Sequence, residues 1–152
     1  MSFAMGRYFE DFKEGEEIRT LGRTVTEADI VNFSGFSGDF NPLHTDAEYA
    51  ATQPFKGRIA HGMCGFSMAI GLLVRTNIFE GTIMAFSGIE NWRFKAPVMI
   101  GDTLQGLARV AEKKETNKAD RGFVVFDFNV VNQKGVSTMG GRLLVVMLKR
   151  PV

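Results

Sequence analysis

The spacing of apolar and polar positions changes character about half-way along the chain. From Thr82 onward it has a period of two. The segments "TIMAFSGIENWRF" (82–94), "GDTLQGLARVAEKKE" (101–115), "GFVVFDFNVVNQ" (122–133) and "GVSTMGGRLLVVMLK" (135–149) predict long strands separated by turn residues. The "NQKG" between the last two has the composition of a hairpin turn. Upstream, "EEIRTLGRTVT" (16–26) alternates loosely and predicts a first strand, with Ile18, Leu21 and Val25 as its apolar members. Thr26 followed by Asp29 has the form of a helix N-cap with an acidic third position, opening a short helix through about Ser34. "SGFSGDFNP" then breaks regular structure with glycines and a proline. "TDAEYAAT" predicts a short helix capped by Thr45 or Asp46, and "QPFKGR" a turn-rich connector.

The clearest helix is "HGMCGFSMAIGLLVRTNIF" (61–79), apolar nearly all round and therefore predicted to be buried in protein. It is too short and too interrupted by glycine to span a membrane. Glycine inside a helix costs roughly 1 kcal/mol relative to alanine, so Gly62, Gly65 and Gly71 predict the close approach of another backbone. One buried helix followed by long antiparallel strands, with a first strand upstream, is an α+β layout. The sheet is expected to wrap the helix, because nothing else is available to cover it.

Composition narrows the function classes. A chain of 152 residues is long enough for one domain with a real core, here taken as residues 1–152. With 18 Lys and Arg against 17 Asp and Glu, it carries no broad footprint for nucleic acid or an anionic membrane, although a small anionic ligand needs only a few cations. The lone cysteine, Cys64, excludes an internal disulfide and fits a reducing, cytoplasmic setting. "MSFAMGRYFEDFKEGEE" has no apolar run, which predicts neither a signal peptide nor a membrane anchor. The 14 phenylalanines and 8 methionines suit a pocket for a flexible apolar ligand and suit a plain core equally well.

Both histidines of the chain, His44 and His61, fall in "SGDFNPLHTDAEYAATQPFKGRIAHGM" (37–63). A five-residue spacing turns Asp39 and His44 about 140° apart on a helix and sends them to opposite faces of a strand. A loop kinked at Asn41-Pro42 lets them converge, as a carboxylate–imidazole pair for proton transfer. The competing reading is that Asp39 and Asn41 cap a turn while His44 is a satisfied histidine. His61-Gly62 opens the central helix, where free N–H groups and the helix dipole favour a developing oxyanion; close packing explains Gly62 as well. Cys64, one helical turn after His61, fits either a nucleophilic thiol or a core hydrophobe. Asp39, His44, Asp46 and His61 follow no recognised metal-ligand spacing, and no phosphate-cradling glycine loop is present.

These residues resemble a known family. "FSGDFNPLHTDAEYA", followed by "GRIAHGM" and later by "NWRFKAPVMIGDTL", is similar to the hydratase motif and flanking segments of the MaoC-like (R)-specific enoyl-CoA hydratases. The likeness runs from roughly Arg7 to the C-terminus. It implies a hot-dog fold, a long central helix wrapped by a curved antiparallel sheet, with subunits paired edge to edge as a homodimer or a dimer of dimers. It implies a hydro-lyase acting on an acyl-CoA thioester: reversible, syn addition of water to trans-2-enoyl-CoA, giving (R)-3-hydroxyacyl-CoA. No metal or other cofactor is implied, since coenzyme A arrives as part of the substrate. At matching positions Asp39 and His44 hold the water, the backbone N–H of Gly62 receives the thioester oxygen, and Asn41, Pro42 and His61 support them. Lys56, Arg58, Arg93 and Lys95 are the candidate partners of the CoA phosphates. One departure stands out: Ile70 replaces the helix serine that some members carry, and Ser67 falls three residues earlier. A hot-dog thioesterase and a non-catalytic acyl-CoA-binding module are the alternatives. Against the first, no carboxylate lies between His61 and Asn77; against the second, Asp39 and His44 are both present.

Overall fold

The computed structural model describes residues 5–151; residues 1–4 and Val152, the two ends of the 1–152 range, lie outside it. A 3₁₀ turn at Phe9–Asp11 precedes β1 (Glu17–Arg19), β2 (Arg23–Thr24) and the helices α1 (Glu27–Ser37), α2 (Pro42–Thr45), α3 (Ala47–Thr52) and α4 (Gly62–Val74). Four long strands follow: β3 (Ile83–Phe94), β4 (Thr103–Glu115), β5 (Arg121–Val131) and β6 (Ser137–Leu148). They form one antiparallel sheet in the order β1-β4-β5-β6-β3, with β2 also paired to β4.

The expected elements form, with three physical differences. The first strand is two short ones. Thr20 spends its N–H and hydroxyl on Gly106 of β4, and Leu21 turns out to solvent at 68% exposure while Ile18 and Val25 are buried. The first helix runs three residues past Ser34, because Gly38 is the residue that adopts the left-handed conformation ending it. The central helix stops at Val74, well before Phe79. Thr76 Oγ donates to the Leu73 carbonyl, Asn77 takes a positive φ of 60°, and Ile78 and Phe79 reach the core from a turn. Apolar character there reports burial, not helix.

α4 lies on the concave face of the sheet. Phe66, Ala69, Leu72 and Leu73 join Leu104, Ala108, Val110, Phe126, Phe128 and Leu143 in one core. A fully buried Leu or Phe contributes about 2 kcal/mol, so this contact dominates the fold. The helix is not buried all round: Met63, Ser67, Gly71 and Val74 form an open stripe. Its glycines approach side chains rather than backbone. A β-carbon on Gly65 would meet the Met139 side chain at 2.7 Å, and one on Gly71 would meet nothing. Nor does the sheet wrap the helix completely. Every residue of β3 except Gly88 and Trp92 is exposed, including Ile83, Met84, Phe86, Ile89 and Phe94.

The outer face is polar by construction. Glu17, Arg109, Asp127, Arg142 and Glu90 are successive cross-strand partners, giving a ladder of alternating charge from one edge of the sheet to the other. Opposite charges in register favour this pairing over its one-residue slips.

At the start of α1 the Thr26–Asp29 capping box forms as the sequence predicts. Burial opposes charge on Asp29, but the Thr26 N–H and hydroxyl and the Arg23 guanidinium outweigh it and hold the carboxyl below its ordinary value of 3.8. A lowered folded value contributes stability above the unfolded value and loses it as pH falls through the folded one. Asp29→Asn is expected to cost about 1 kcal/mol at pH 7. In urea unfolding at a series of pH values, that difference should shrink as pH falls below the ordinary carboxyl value; a difference independent of pH would remove the charge from this account.

Candidate active site

The site is assembled where α1 ends, α2 begins and α4 starts. Gly38, at φ 76°, closes α1 with its N–H on the Ser34 carbonyl (2.8 Å) and turns the chain so that Asp39 leaves the helix axis. Asp39 Oδ1 then accepts the Asn41 N–H at 3.1 Å, and Asn41 Oδ1 accepts the Leu43 N–H at 3.0 Å. Pro42 sits in the first turn of α2, where its missing N–H costs nothing. Asp39 and Asn41 thus make the turn and cap bonds of the competing reading, and the same turn brings His44 back toward Asp39. Asp46 caps α3 by accepting from the Tyr49 N–H.

His44 Nδ1 lies 2.8 Å from the Ile59 carbonyl. A carbonyl only accepts, so Nδ1 carries the hydrogen, and the neutral ring presents the lone pair of Nε2 away from that bond. His61, buried at the N-cap of α4, stacks on His44 with ring centroids 3.7 Å apart and planes at 29°. One ligand atom each from Asp39, His44 and His61 lie within 4.8 Å of one another. That separation suits one water bonded to two of the groups.

Gly62 is the first residue of α4, where N–H groups have no intrahelical acceptor. A β-carbon there would meet the Phe94 ring at 3.0 Å, so glycine is needed for packing whatever its N–H does. The step His61-Gly62 lines a cavity of about 260 Å³ with Phe55, Phe94, Val98 and Met139, and Lys95 stands at its edge. A larger groove of about 570 Å³ runs between α1 and α4 past Phe33, Phe36 and Ser67, and neither Asp39, His44 nor Gly62 lines it. Cys64 borders that groove, and burial followed by the nearby Asp29 charge pushes its thiol up, which disfavours the thiolate that a nucleophile needs. Ile70 packs against the core.

The four cations differ in availability. Arg58 is held by Glu27 of α1 at 2.6 Å. Lys95 Nζ reaches Asn129 Oδ1 and Ser137 Oγ at 3.4 and 3.3 Å. Lys56, in a turn at φ 60°, and Arg93, on β3, are exposed. The partners that the sequence does not mark are the Ile59 carbonyl, Ser34, Phe33 and Phe94. A backbone acceptor has no residue signature, and Ser34 and Phe33 sit in a helix whose pattern speaks only of its own face.

A family model described as "MaoC like domain" matches residues 11–126. This chain belongs to the MaoC-like domain family. An (R)-specific enoyl-CoA hydratase of Rhodospirillum rubrum is 42% identical to this MaoC-like chain over 103 residues, 68% of the chain and 69% of that protein. Protein MaoC of Klebsiella aerogenes is 42% identical over 115 residues, 76% of this chain and 33% of that protein, so the chain spans about a third of that relative. A solved structure named as a monoamine oxidase regulatory protein from Archaeoglobus superposes with a TM-score of 0.90 at 37% identity, covering 97% of this chain and 98% of that one. A Mycobacterium tuberculosis protein with a double hot-dog fold superposes with a TM-score of 0.83 at 19% identity, over 96% of this chain and 45% of that one. The fold is the hot-dog fold, as the family resemblance implied.

Two glycines of α1 separate backbone conformation from packing, since a β-carbon on either would meet nothing within 4 Å. Gly35→Ala, at ordinary helical geometry, is expected to stabilise by up to about 1 kcal/mol. Gly38→Ala, in the left-handed turn, is expected to destabilise by about the same amount. Thermal unfolding of the two variants checks the opposite signs.

Proposed function

We propose that this MaoC-like domain, taken as one hot-dog unit over 1–152, is a hydro-lyase that adds water reversibly to trans-2-enoyl-CoA, giving (R)-3-hydroxyacyl-CoA. The observation that carries the reading is the Asp39–His44 pair, held by a turn within reach of one water, with His44 stacked on His61, the residue before Gly62. The names of relatives that are hydratases point the same way. The water oxygen bonds to C3 of the enoyl group while the Asp39–His44 pair takes its proton. The π electrons move onto the thioester oxygen, which the Gly62 N–H stabilises at the positive end of α4. The pair then returns a proton to C2 on the same face, which makes the addition syn. Asn41, Pro42 and His61 hold this geometry. Coenzyme A enters as part of the substrate, and the chemistry asks for no metal and no other cofactor. Lys95 lines the cavity beside Gly62 and is offered to the CoA phosphates, with exposed Lys56 and Arg93 as further cations and Arg58 only at the cost of its pair with Glu27.

The subunit is proposed to work as a homodimer joined through β3. The exposed apolar side chains of β3 and the open stripe of α4 leave a trough that one chain cannot cover, and β3 presents a free edge. Asp39 is exposed in the single chain, so a second copy would also supply the enclosure that proton transfer needs. No helix among the described residues is long and apolar enough to cross a membrane, and the lone, buried Cys64 fits a cytoplasmic enzyme.

The test is loss of enoyl-thioester absorbance on adding the protein to crotonyl-CoA, with thiol release followed in parallel. Hydration without free CoA and with an (R) product supports the reading; thiol release would move the protein to the thioesterases, although α4 bears no carboxylate. Asp39→Asn is expected to lower the hydration rate by at least 100-fold with the fold retained, and normal turnover in that variant would sink the assignment. Ile89→Asp is expected to halve the mass seen by analytical ultracentrifugation.

A further inference from the structure

The hydration chemistry uses His44 directly and gives His61 a supporting place at the start of α4. The contacts of His61 exceed that. The residue is 3% exposed. Its Nε2 lies 2.9 Å from the backbone carbonyl of Asp39 and 3.3 Å from Ser34 Oγ. A carbonyl oxygen only accepts, so Nε2 carries the hydrogen and donates. One face of the ring stacks on His44, and Phe33 lies 5.0 Å away at a tilt of 48°. The remaining nitrogen, Nδ1, is buried with no partner among the described residues. A hydrogen there would be a buried donor lacking an acceptor, beside a second imidazole and at the positive end of α4. The contacts thus place the donated hydrogen on Nε2 and offer no acceptor to Nδ1 among the described residues.

An N-terminal histidine that served the helix alone would turn its side chain to a free N–H of the first turn. His61 makes no such cap bond. Its one donated hydrogen goes to the residue that bears the carboxylate, and its face goes to the other imidazole. We propose that His61 is a positioning residue: it fixes the Asp39 backbone through Nε2 and the His44 ring through the stack, so that one α4 residue sets the distance across which a water is held. This inference rests on the hydratase reading.

Two substitutions divide the contacts. His61→Phe keeps a ring against His44 and removes the donor to Asp39. His61→Gln keeps a donor and removes the stack. Each is expected to lower kcat for crotonyl-CoA roughly 10- to 100-fold. KM should stay within about twofold, because the proposed chemistry gives His61 no bond to the substrate. His44 ring protons, read by NMR, are expected to sit upfield in wild type and in His61→Phe, and to lose that ring-current shift in His61→Gln. A kcat near the wild-type value in a folded His61→Phe overturns the proposal, as do unchanged His44 resonances in His61→Gln. If one variant does not fold, the other still decides its own contact. Failure of the wild-type protein to hydrate any enoyl-CoA would remove the hydratase reading instead, and the NMR comparison would still report whether His61 holds the His44 ring.

Discussion

The bond from His61 to the Asp39 carbonyl joins two parts of the molecule that fold for different reasons. α4 is placed by burial: its apolar side fills the concave face of the sheet, and that contact fixes where the helix begins. The Asp39 loop is placed locally, by the left-handed Gly38, the Asx bond to Asn41 and the proline that opens α2. His61 joins the two through that bond, and His44 joins them again through the Ile59 carbonyl; the burial of His61 makes its contact stiff.

The second constraint is width. The sheet has more apolar inner surface than a 13-residue helix can cover. β4, β5 and β6 receive α4 and are buried on that face, while β3 carries the same kind of residues into the open. An α+β layer with one strand too many is stable only when something else covers it. On the outer face the charge ladder favours the register of the strands and keeps that side solvated, so the uncovered apolar area of the sheet lies at its β3 edge.

Much of this was legible from residue order. Strand period, turn residues and the Thr26–Asp29 box located the elements because each of those signals acts over a few residues of chain. The segment holding Asp39, Asn41, Pro42 and His44 was legible as a turn, and as chemistry once its resemblance to the MaoC-like hydratases was set beside it. Leu21, the end of α4 at Val74 and the open face of that helix were not. Each depends on which surfaces meet. Apolar periodicity says that a residue prefers burial and cannot say whether a neighbour arrives to bury it.

The sequence by itself determined the α+β order, the turn chemistry that takes Asp39 out of α1 and opens α2 with its His44, and the helix start that follows. Those are local properties, set by backbone preference and side-chain period. Only the tertiary structure decided that His44 donates to the Ile59 carbonyl, that His61 stacks on it and reaches Asp39, and that Arg58 is committed to Glu27. Tautomer and separation are fixed by groups 15 to 31 residues apart in the chain, whose meeting is set by the packing of α4 and α1 and has no local cause to be read.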